Sequence, residues 1–238
     1  MSTLASDTAM VMAAGLGKRM RPLTASQPKP MVRVGGKPLI DHALDRLNDA
    51  GVEKAVVNVH YLADSLEAHL GSRGAPKVVI SDERGELLET GGGMVKAQPQ
   101  LPDPFFCLNA DNIWIDGPRS AFADLSARWN PEEMDALLLL VSHARAVNFD
   151  GTGDFYMDPR GKIRRREQGR IAPFIYTGIQ LVSHRLLRDA PDGKFSTNVL
   201  WNRAIEEGRL YGVSFTGLWF EVGTPDAIRP TEDALQRG

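Results

Sequence analysis

The segment MVMAAGLGKRMRPLTASQPKPM, from Met10 to Met31, decides the fold. It begins as an apolar run and then breaks into glycines, cations and three prolines without a helical or strand period. A short apolar run that ends in a glycine-rich turn is typical of the first strand of an α/β sheet, whose ligands bind at the carboxyl ends of the strands. Gly15 and Gly17 have no β-carbon, so the backbone there can approach a phosphate closely.

Short β-rich runs and amphipathic stretches alternate after this segment. KAVVNV, KVVIS and PFFCLNA are predicted strands, and LADSLEAHL and GGMVKAQ are predicted helices. The spacing of Ile40, Leu44 and Leu47 predicts a further helix that ends at Gly51. Repeated β-α units with short connections predict a Rossmann-like α/β fold, with a predominantly parallel sheet flanked by helices.

The second half of the chain is less regular. Its predicted strands are DALLLLVSH, GDFYMD, FIYTGIQLV, LYGVSF and GLWFEVG, and its predicted helices are SHRLLRDA, NVLWNRAIEEG and TPDAIRPTEDALQR. Because some of these strands follow one another without a helix between them, an antiparallel portion is expected on the parallel sheet, which makes the sheet mixed. Residues 1–238 are expected to form a single domain, with a loose end from Met1 to Thr8.

Composition excludes several classes of protein. The chain has 28 Lys and Arg against 30 Asp and Glu, so it carries no overall basic charge that would favour nucleic acid. Its one cysteine, Cys107, lies in an apolar run and is expected to pack in the core; a chain with one cysteine suits a reducing compartment. Apolar runs such as ALLLLV are far shorter than the roughly 20 residues of a membrane helix. A cytoplasmic protein without a nucleic-acid or membrane partner is therefore expected.

The glycine-rich loop does not match two common phosphate-binding motifs. The dinucleotide fingerprint requires a third glycine where this chain has Met20, and the GGKP segment has Pro38 where a P-loop requires Ser or Thr. The loop does carry three cations, Arg19, Arg21 and Lys29. The prolines on either side of Lys29 are expected to hold it in an extended conformation, which makes it a positioned charge.

The segment AAGLGKRMRPLTASQPKPM closely resembles the signature loop of the sugar-1-phosphate nucleotidylyltransferases. The similarity extends to LIDHALDRLNDAGV, LLETGGGMVKA, LNAD and WFEVGTPD, so it covers most of the chain. It implies transfer of a nucleotidyl group from a nucleoside triphosphate to a sugar 1-phosphate, with release of pyrophosphate. It also implies the nucleotide-diphospho-sugar transferase fold, here without the left-handed β-helix of longer relatives. Residues 1–116 would form the nucleotide-binding half and residues 117–238 the sugar-binding half.

The resemblance assigns roles on the nucleotide side. Arg19 would bind the triphosphate tail and the leaving pyrophosphate, and Lys29 would bind the α-phosphate in the transition state. The residues that would contact the nucleotide are Ala13, Ala14, Gly15, Gly17, Glu89, Thr90 and Gly91, with Asn58 as a further candidate for the base. The nucleophile is an ionised phosphate oxygen, so positioning and charge neutralisation carry the catalysis.

Two carboxylates are expected to hold Mg²⁺, which prefers one or two carboxylates together with phosphate oxygens and water. Asp111 ends a predicted strand and matches the metal-binding aspartate of the family, so it is also counted among the catalytic residues. Glu221 stands where the family has a second aspartate. None of the five histidines has the spacing of a zinc site.

The sugar side is implied by two further segments. Asn109 of LNAD, with Thr177 and Gly178 of YTGIQLVS, would contact the sugar phosphate. Many relatives carry Glu-Lys-Pro before the second segment, whereas Glu167 of this chain has no lysine after it. The nearby Lys162 and the arginines 164–166 are either a solvated turn or the source of one arginine that replaces that lysine or pairs with a lactyl carboxylate.

The ETGGG segment resembles the uridylyltransferases that act on N-acetylmuramic acid 1-phosphate in peptidoglycan recycling. The residue types leave the base and the sugar open. Mannose- or heptose-1-phosphate guanylyltransferases, glucose-1-phosphate thymidylyltransferases and phosphocholine cytidylyltransferases are alternatives within the same fold. A nucleotide-sugar sensor or regulatory subunit without turnover is the alternative of a different class, and the oligomeric state is also open.

Overall fold

The computed structural model describes residues 4–237. The strands in this range are β1 Thr8–Met12, β2 Arg33–Val34, β3 Lys37–Pro38, β4 Lys54–Val59, β5 Lys77–Asp82, β6 Phe105–Asn109, β7 Ile113–Ile115, β8 Ala136–Ser142, β9 Ala146–Val147, β10 Phe155–Met157, β11 Ile163–Arg165, β12 Phe174–Val182, β13 Leu210–Ser214 and β14 Leu218–Phe220. The helices are α1 Leu39–Ala50, α2 Ala63–Leu70, α3 Glu89–Ala97, α4 Ala121–Arg128, α5 Asn198–Glu206 and α6 Ile228–Leu235.

A mixed sheet forms the centre of the molecule. Its strands run in the order β5-β4-β1-β6-β12-β8-β13, and β10 and β11 extend it from the beginning of β12. Strands β5, β4, β1 and β6 are parallel, β12 is antiparallel to both β6 and β8, and β13 is parallel to β8. The predicted mixed sheet flanked by helices is therefore confirmed.

Both faces of the sheet are covered by apolar side chains. In β1, Ala9 and Val11 face the cluster that includes residues of α1, α2 and α4, while Met10 faces the cluster that includes residues of α3 and α5. Because both faces of the parallel strands are buried in this way, consecutive residues of these strands are apolar. Cys107 belongs to the second cluster and is buried, as expected.

A third apolar cluster anchors the glycine-rich loop. Met20, Val32 and Val34 pack with Phe220 and Val222 in a separate cluster at the side of the main sheet. Phe220 lies in β14, which pairs with β7 and β9 in a three-stranded sheet. The loop and the WFEVGTPD segment are therefore held together by packing, although they are far apart in the sequence.

Some local predictions were wrong. SHRLLRDA forms only a 3-10 turn, His184–Leu187, because Asp189 adopts a left-handed φ of 51° and Pro191 follows. Helix α4, which Ser120 caps through Ala123 N, was not predicted. Thr8 lies in β1 rather than in a loose end, and residues 1–3 of that expected end lie outside the described range.

The sheet is continuous between the two halves expected from the sequence, because β12 of the second half pairs with β6 of the first. The division into a nucleotide-binding and a sugar-binding half stays a prediction. No helix between residues 4 and 237 is long and apolar enough to cross a membrane.

Candidate active site

Two adjoining cavities open at the carboxyl ends of β1 and β6. The first cavity, of about 390 Å³, is lined by Met12, Ala13, Ala14, Gly15, Lys29, Pro30, Asn58, Leu87, Glu89, Thr90, Asn109, Ala110, Asp111 and Ser196. The second cavity, of about 210 Å³, is lined by Arg19, Lys29, Asn109, Asp111, Asn112, Phe149, Asp154, Ile175, Tyr176, Thr177, Gly178, Trp219, Phe220, Glu221, Val222 and Gly223. Most of the site residues expected from the sequence lie in these linings.

Lys29 and Asp111 form the wall that the cavities share, together with Asn109. The Lys29 ammonium donates a hydrogen bond to Asp111 Oδ2, and the two side chains are 14% and 31% exposed. The low exposure of the lysine indicates a partly desolvated cation, whose attraction for a phosphate is screened less than that of a surface lysine.

The position of Lys29 is fixed by its neighbours in the loop. Lys29 begins a 3-10 turn, Lys29–Met31, so the expected extended conformation was wrong; only Pro28 before it is extended. Gly17 has a φ of 59°, and a β-carbon there would lie 2.8 Å from Lys29 Cβ. Thr24 Oγ1 also donates to Gly17 O at 2.9 Å. Gly17 therefore acts on the site by allowing the lysine stem to pass close to the loop backbone.

Arg19 and Glu221 face each other in the second cavity. Arg19 Nη1 lies 3.7 Å from Glu221 Oε1, and the two side chains are 70% and 32% exposed. The arginine is therefore largely free to turn toward a ligand. The part-exposed carboxylates of Glu221 and Asp111 line this same cavity.

The nucleotide residues predicted around β1 and β4 contact one another. Asn58 is almost fully buried in the wall of the first cavity, and its Oδ1 accepts hydrogen bonds from Ala13 N at 2.6 Å and Ala14 N at 3.3 Å. The N–H groups of these alanines are thus used inside the protein. Gly15 and Asn58 also line the cavity, and the assignment of these four residues to a nucleotide stays a prediction.

The glycines of the LLETGGG segment lie in the first turns of α3, in agreement with the helix predicted there. Glu89 has a φ of 60° and, with Thr90, lines the first cavity. Gly91 faces the 193–197 segment instead, because a β-carbon on it would lie 2.3 Å from the ring of Phe195. Thr90 Oγ1 accepts from Thr197 N at 3.0 Å. This segment is therefore packed tightly against the beginning of α5.

The second cavity is shaped by an irregularity in β12. The register of β12 on β8 shifts between Tyr176 and Gln180, and Gly178 there has a φ of 82°. A β-carbon on Gly178 would lie 2.7 Å from Asn109 Nδ2 and 2.8 Å from Asn112 Nδ2. Thr177 is fully buried and donates from Oγ1 to Leu139 O at 2.9 Å. The predicted residues Asn109, Thr177 and Gly178 are thus brought together.

Glu167 is the predicted sugar contact that the structure does not place in either lining. Its carboxylate lies on the exposed turn after β11, 3.0 Å from Arg164 Nη1. Arg165 packs over Phe155 and Trp201, and this burial lowers its pKa. The role proposed for Glu167, and the alternative that one of these arginines binds the ligand, stay untested hypotheses.

Sequence reasoning missed polar residues of the second cavity, among them Asp154, Asn112 and Trp219. Asp154 accepts from Tyr176 N at 2.9 Å through Oδ2, and Trp219 donates from Nε1 to Asn112 Oδ1 at 3.4 Å. Asn112 is buried, and its Nδ2 has no partner within residues 4–237. The position of Asn112 directly after Asp111 at a strand end is a signal that could have found it; Asp154 lies in a loop without such a signal.

The carboxylates of the site do not form a complete metal cage by themselves. Among the residues from 4 to 237 there is no group of three or more His, Cys, Asp and Glu side chains that could hold a metal. Asp111 and Glu221 provide two hard oxygen ligands, and Mg²⁺ normally completes such a pair with water and substrate phosphates. The pair therefore fits an ion that is held jointly with a phosphorylated ligand.

Comparison with known proteins agrees with this geometry. Residues 8–164 match the nucleotidyl transferase family. The chain is 49% identical over 236 residues to the N-acetylmuramate alpha-1-phosphate uridylyltransferase of Caulobacter vibrioides, covering 97% of this chain and 98% of that one. It is 35% identical over 229 residues to the enzyme of the same name from Neisseria meningitidis serogroup B, covering 91% and 93% of the two chains.

Solved structures show the same fold at low identity. A UDP-glucose pyrophosphorylase complexed with UDP-glucose superposes with a TM-score of 0.78 over 98% of this chain and 99% of that one, at 13% identity. This likeness confirms the expected nucleotide-diphospho-sugar transferase fold. The family match and the near full-length relatives confirm the resemblance drawn from the loop motif. The chain therefore belongs to the nucleotidyl transferase family, among the sugar-1-phosphate nucleotidylyltransferases.

Proposed function

We propose that this protein transfers the uridylyl group of UTP to N-acetylmuramic acid 1-phosphate and releases pyrophosphate, as a step of peptidoglycan recycling. The observation that carries the choice of substrates is the 49% identity to a uridylyltransferase of that name over nearly the whole of both chains. The reaction draws on the nucleoside triphosphate pool, so we place it in the cytoplasm.

The two cavities support an arrangement with one substrate in each. The first cavity would take the nucleotide, since its lining comes almost wholly from residues 12–111, and the second would take the sugar phosphate, with most of its lining from residues 149–223. This arrangement favours the division of the chain into a nucleotide-binding half, 1–116, and a sugar-binding half, 117–238. The reacting phosphates would then meet at the shared wall of Lys29, Asn109 and Asp111.

The chemistry at this wall requires no general base. An oxygen of the sugar 1-phosphate, already ionised, bonds to the α-phosphorus of UTP as the bond to the bridging oxygen breaks, and pyrophosphate leaves with that electron pair. Lys29 would neutralise the charge on the α-phosphate. Arg19 lines only the second cavity, but its side chain is 70% exposed and would turn toward the shared wall to bind the departing pyrophosphate. Fixed cations of this kind stabilise the transition state because they need little reorganisation when charge develops.

Asp111 and Glu221 would hold Mg²⁺ together with the phosphates. When bound, the ion supplies positive charge that lets two anionic substrates approach each other. Glu221 is one methylene longer than the aspartate of the family pattern, but its carboxylate lies in the same cavity as Asp111. Around the sugar, Asp154, Asn112 and Gly178 would determine which hydroxyls and substituents are accepted.

The test is pyrophosphate release in the presence of Mg²⁺, with UTP, GTP, dTTP and CTP each paired with the 1-phosphates of N-acetylmuramic acid, N-acetylglucosamine, mannose and glucose, and with phosphocholine. N-acetylmuramic and N-acetylglucosamine 1-phosphates differ only in the lactyl ether, so this pair isolates recognition of the lactyl carboxylate. Selective turnover of UTP with the muramic acid substrate is expected.

Preferential turnover of any other pair would overturn the assigned substrates while leaving the transfer reaction in place. Binding of nucleotide without turnover across the whole set would favour the regulatory protein instead. The Lys29→Ala variant, measured in parallel, identifies any release of pyrophosphate by a contaminating enzyme.

A further inference from the structure

A fully buried carboxylate, Glu83, lies behind the first cavity and takes no part in the chemistry at the shared wall. It follows β5 directly and has no exposed surface. Its Oε1 accepts from Asn58 Nδ2 at 2.7 Å, and its Oε2 accepts from Leu88 N at 3.2 Å. Both partners are donors, so a proton on either oxygen would have no acceptor there, and the arrangement fits the ionised carboxylate.

Asn58 connects this carboxylate to the loop after β1. Its Oδ1 accepts from the N–H groups of Ala13 and Ala14, while its Nδ2 donates to Glu83 and lies 3.8 Å from Met12 Sδ. An asparagine amide has two donors and two acceptor positions, and all four are used here. Because a carboxylate can only accept and a backbone N–H can only donate, Glu83 fixes which way the Asn58 amide points.

Gly93 provides the space for this network. A β-carbon on Gly93 would lie 2.9 Å from Glu83 Oε1 and 3.0 Å from Asn58 Nδ2. The third glycine of LLETGGG therefore allows α3 to pass over the Glu83–Asn58 pair. The network thus contacts three segments of the cavity: residues 13–14, residues 87–90 and the first turns of α3.

We propose that Glu83 is a positioning residue for nucleotide binding. Through its hydrogen bonds with Asn58 and Leu88 N, it fixes the positions of two walls of the first cavity relative to each other. Ala13 and Ala14 form one wall, and Leu87, Glu89 and Thr90 form the other. This inference rests on the proposed assignment of the first cavity to the nucleotide. It predicts that the KM for the nucleoside triphosphate depends on the direction of the hydrogen bonds in the network, that is, on which groups donate and which accept.

Two single substitutions break this polarity in different ways. In Glu83→Gln, the new amide N–H group must face either Leu88 N or Asn58 Nδ2, so one bond is replaced by a donor facing a donor. In Asn58→Asp, a second carboxylate is placed against Glu83, and like charges at this distance repel. Each single variant is expected to raise the KM for the nucleotide at least about tenfold, the effect of losing one buried hydrogen bond.

The double variant Asn58→Asp, Glu83→Gln restores the four hydrogen bonds that involve Ala13 N, Ala14 N, Leu88 N and the 58–83 pair, and loses only the long contact of residue 58 with Met12 Sδ. The new carboxylate at position 58 would accept from Ala13 and Ala14 N and from the new amide at position 83, whose oxygen would accept from Leu88 N. The total side-chain charge of the pair is also unchanged. The KM for the nucleotide is expected to return to within about threefold of wild type, a residual difference below about 0.7 kcal/mol. The KM for the sugar phosphate is expected to stay unchanged throughout.

The control is Glu86→Gln, an exposed glutamate in the same segment, which should leave the KM for the nucleotide at the wild-type value. The nucleotide used is whichever one the wild-type protein prefers, so an error in the assigned substrate pair does not affect this test. Single variants with a wild-type KM would overturn the inference, as would a double variant as impaired as the single ones. If the single variants do not fold, a folded double variant with near wild-type KM supports the inference, and an unfolded one overturns it.

Discussion

The Lys29 ammonium donates a hydrogen bond to Asp111, a residue 82 positions later in the chain. The pair lies where the two cavities adjoin, and both side chains line both cavities. Since each side chain partly neutralises the charge of the other, both charged groups can be partly buried before substrates bind. An arriving phosphate would compete with Asp111 for the lysine.

Loss of either of the two cations should impair the chemical step rather than the fold. Lys29→Ala and Arg19→Ala are each expected to lower kcat roughly a hundred- to a thousandfold, as does removal of one preorganised donor in comparable sites. Arg19 is 70% exposed, so its variant should unfold like wild type. Steady-state pyrophosphate release measures the effect, with the exposed Lys18→Ala as the matched control. Near-normal turnover would remove either residue from the site.

Glu221 should control the requirement for Mg²⁺. Glu221→Gln removes one of the two carboxylates proposed to hold Mg²⁺ and should raise the Mg²⁺ concentration for half-maximal rate at least roughly tenfold, equivalent to about 1.4 kcal/mol of binding energy. The measurement is the initial rate against Mg²⁺ at saturating substrates. Asp226→Asn, on the exposed turn five residues later, should not change this concentration. An unchanged requirement in Glu221→Gln would exclude Glu221 as a ligand.

Gly178→Ala should damage both stability and sugar-phosphate binding. The new methyl group would contact Asn109 and Asn112 well inside van der Waals distance, at a φ of 82°. A loss of more than about 1 kcal/mol of unfolding free energy is expected, with a raised KM for the sugar phosphate. Gly169→Ala is the control, because Gly169 also has a left-handed φ, of 74°, but a methyl group added there would have nothing within 4 Å. It should show the backbone cost alone, in denaturant unfolding, with no change in KM.

Asp154 and Glu167 can be distinguished as sugar contacts. Asp154 lines the second cavity, whereas Glu167 lies on an exposed turn, so Asp154→Asn is expected to raise the KM for the sugar phosphate roughly tenfold, about 1.4 kcal/mol. Asparagine keeps an oxygen that can accept from Tyr176 N, which preserves the local backbone. Glu167→Gln should have little effect. The reverse result would show that the turn moves over the sugar and that Glu167 is the contact.

Cys107 should be unreactive while the protein is folded. Burial raises the pKa of its thiol from 9.0 to about 12, so the thiolate is suppressed at neutral pH. The pKa of this thiol is higher in the folded than in the unfolded protein, so below about pH 9 the thiol is protonated in both states and the fold has its full stability. As the pH rises above about 9, the unfolded protein ionises first and the free energy of unfolding falls. Alkylation by iodoacetamide at pH 8 should therefore follow global unfolding in a denaturant series. Labelling at a native, denaturant-independent rate would contradict this.

The sequence alone predicted most of the elements that carry the site. KAVVNV and FIYTGIQLV coincide with β4 and β12. These strands could be predicted because each is a short run of mainly apolar and β-branched residues that are buried in the fold. Elements that depend on distant partners were harder to predict. SHRLLRDA has helical spacing, yet Arg185 of this segment is bonded to the buried Asp135 at 2.5 Å and to the carbonyls of Pro131 and Met134.

The residues of the candidate site were also predicted only in part. Arg19, Lys29, Asp111 and Glu221 could be found because they lie in one long motif or match short ones. Asp154 could not be found, because it reaches the second cavity through hydrogen bonds with Phe174 O and Tyr176 N of β12, about twenty residues later in the chain. Glu167 was placed near the sugar by its position in the sequence, but in this structure it is exposed and lies in neither lining.

By itself, the sequence determined the α/β class, the order of most strands along the chain and the residue types of the glycine-rich loop with its three cations, since these follow from short-range periodicity and residue type. Only the tertiary structure decided which residues share a wall. The packing of Met20 and Val32 on Phe220 brings Arg19 to Glu221, and the parallel pairing of β1 with β6 brings the loop that carries Lys29 to Asp111. These contacts join residues that are far apart in the sequence, so they form only when the long segments between them fold around a common core. A local sequence pattern contains no information about which distant residues will meet.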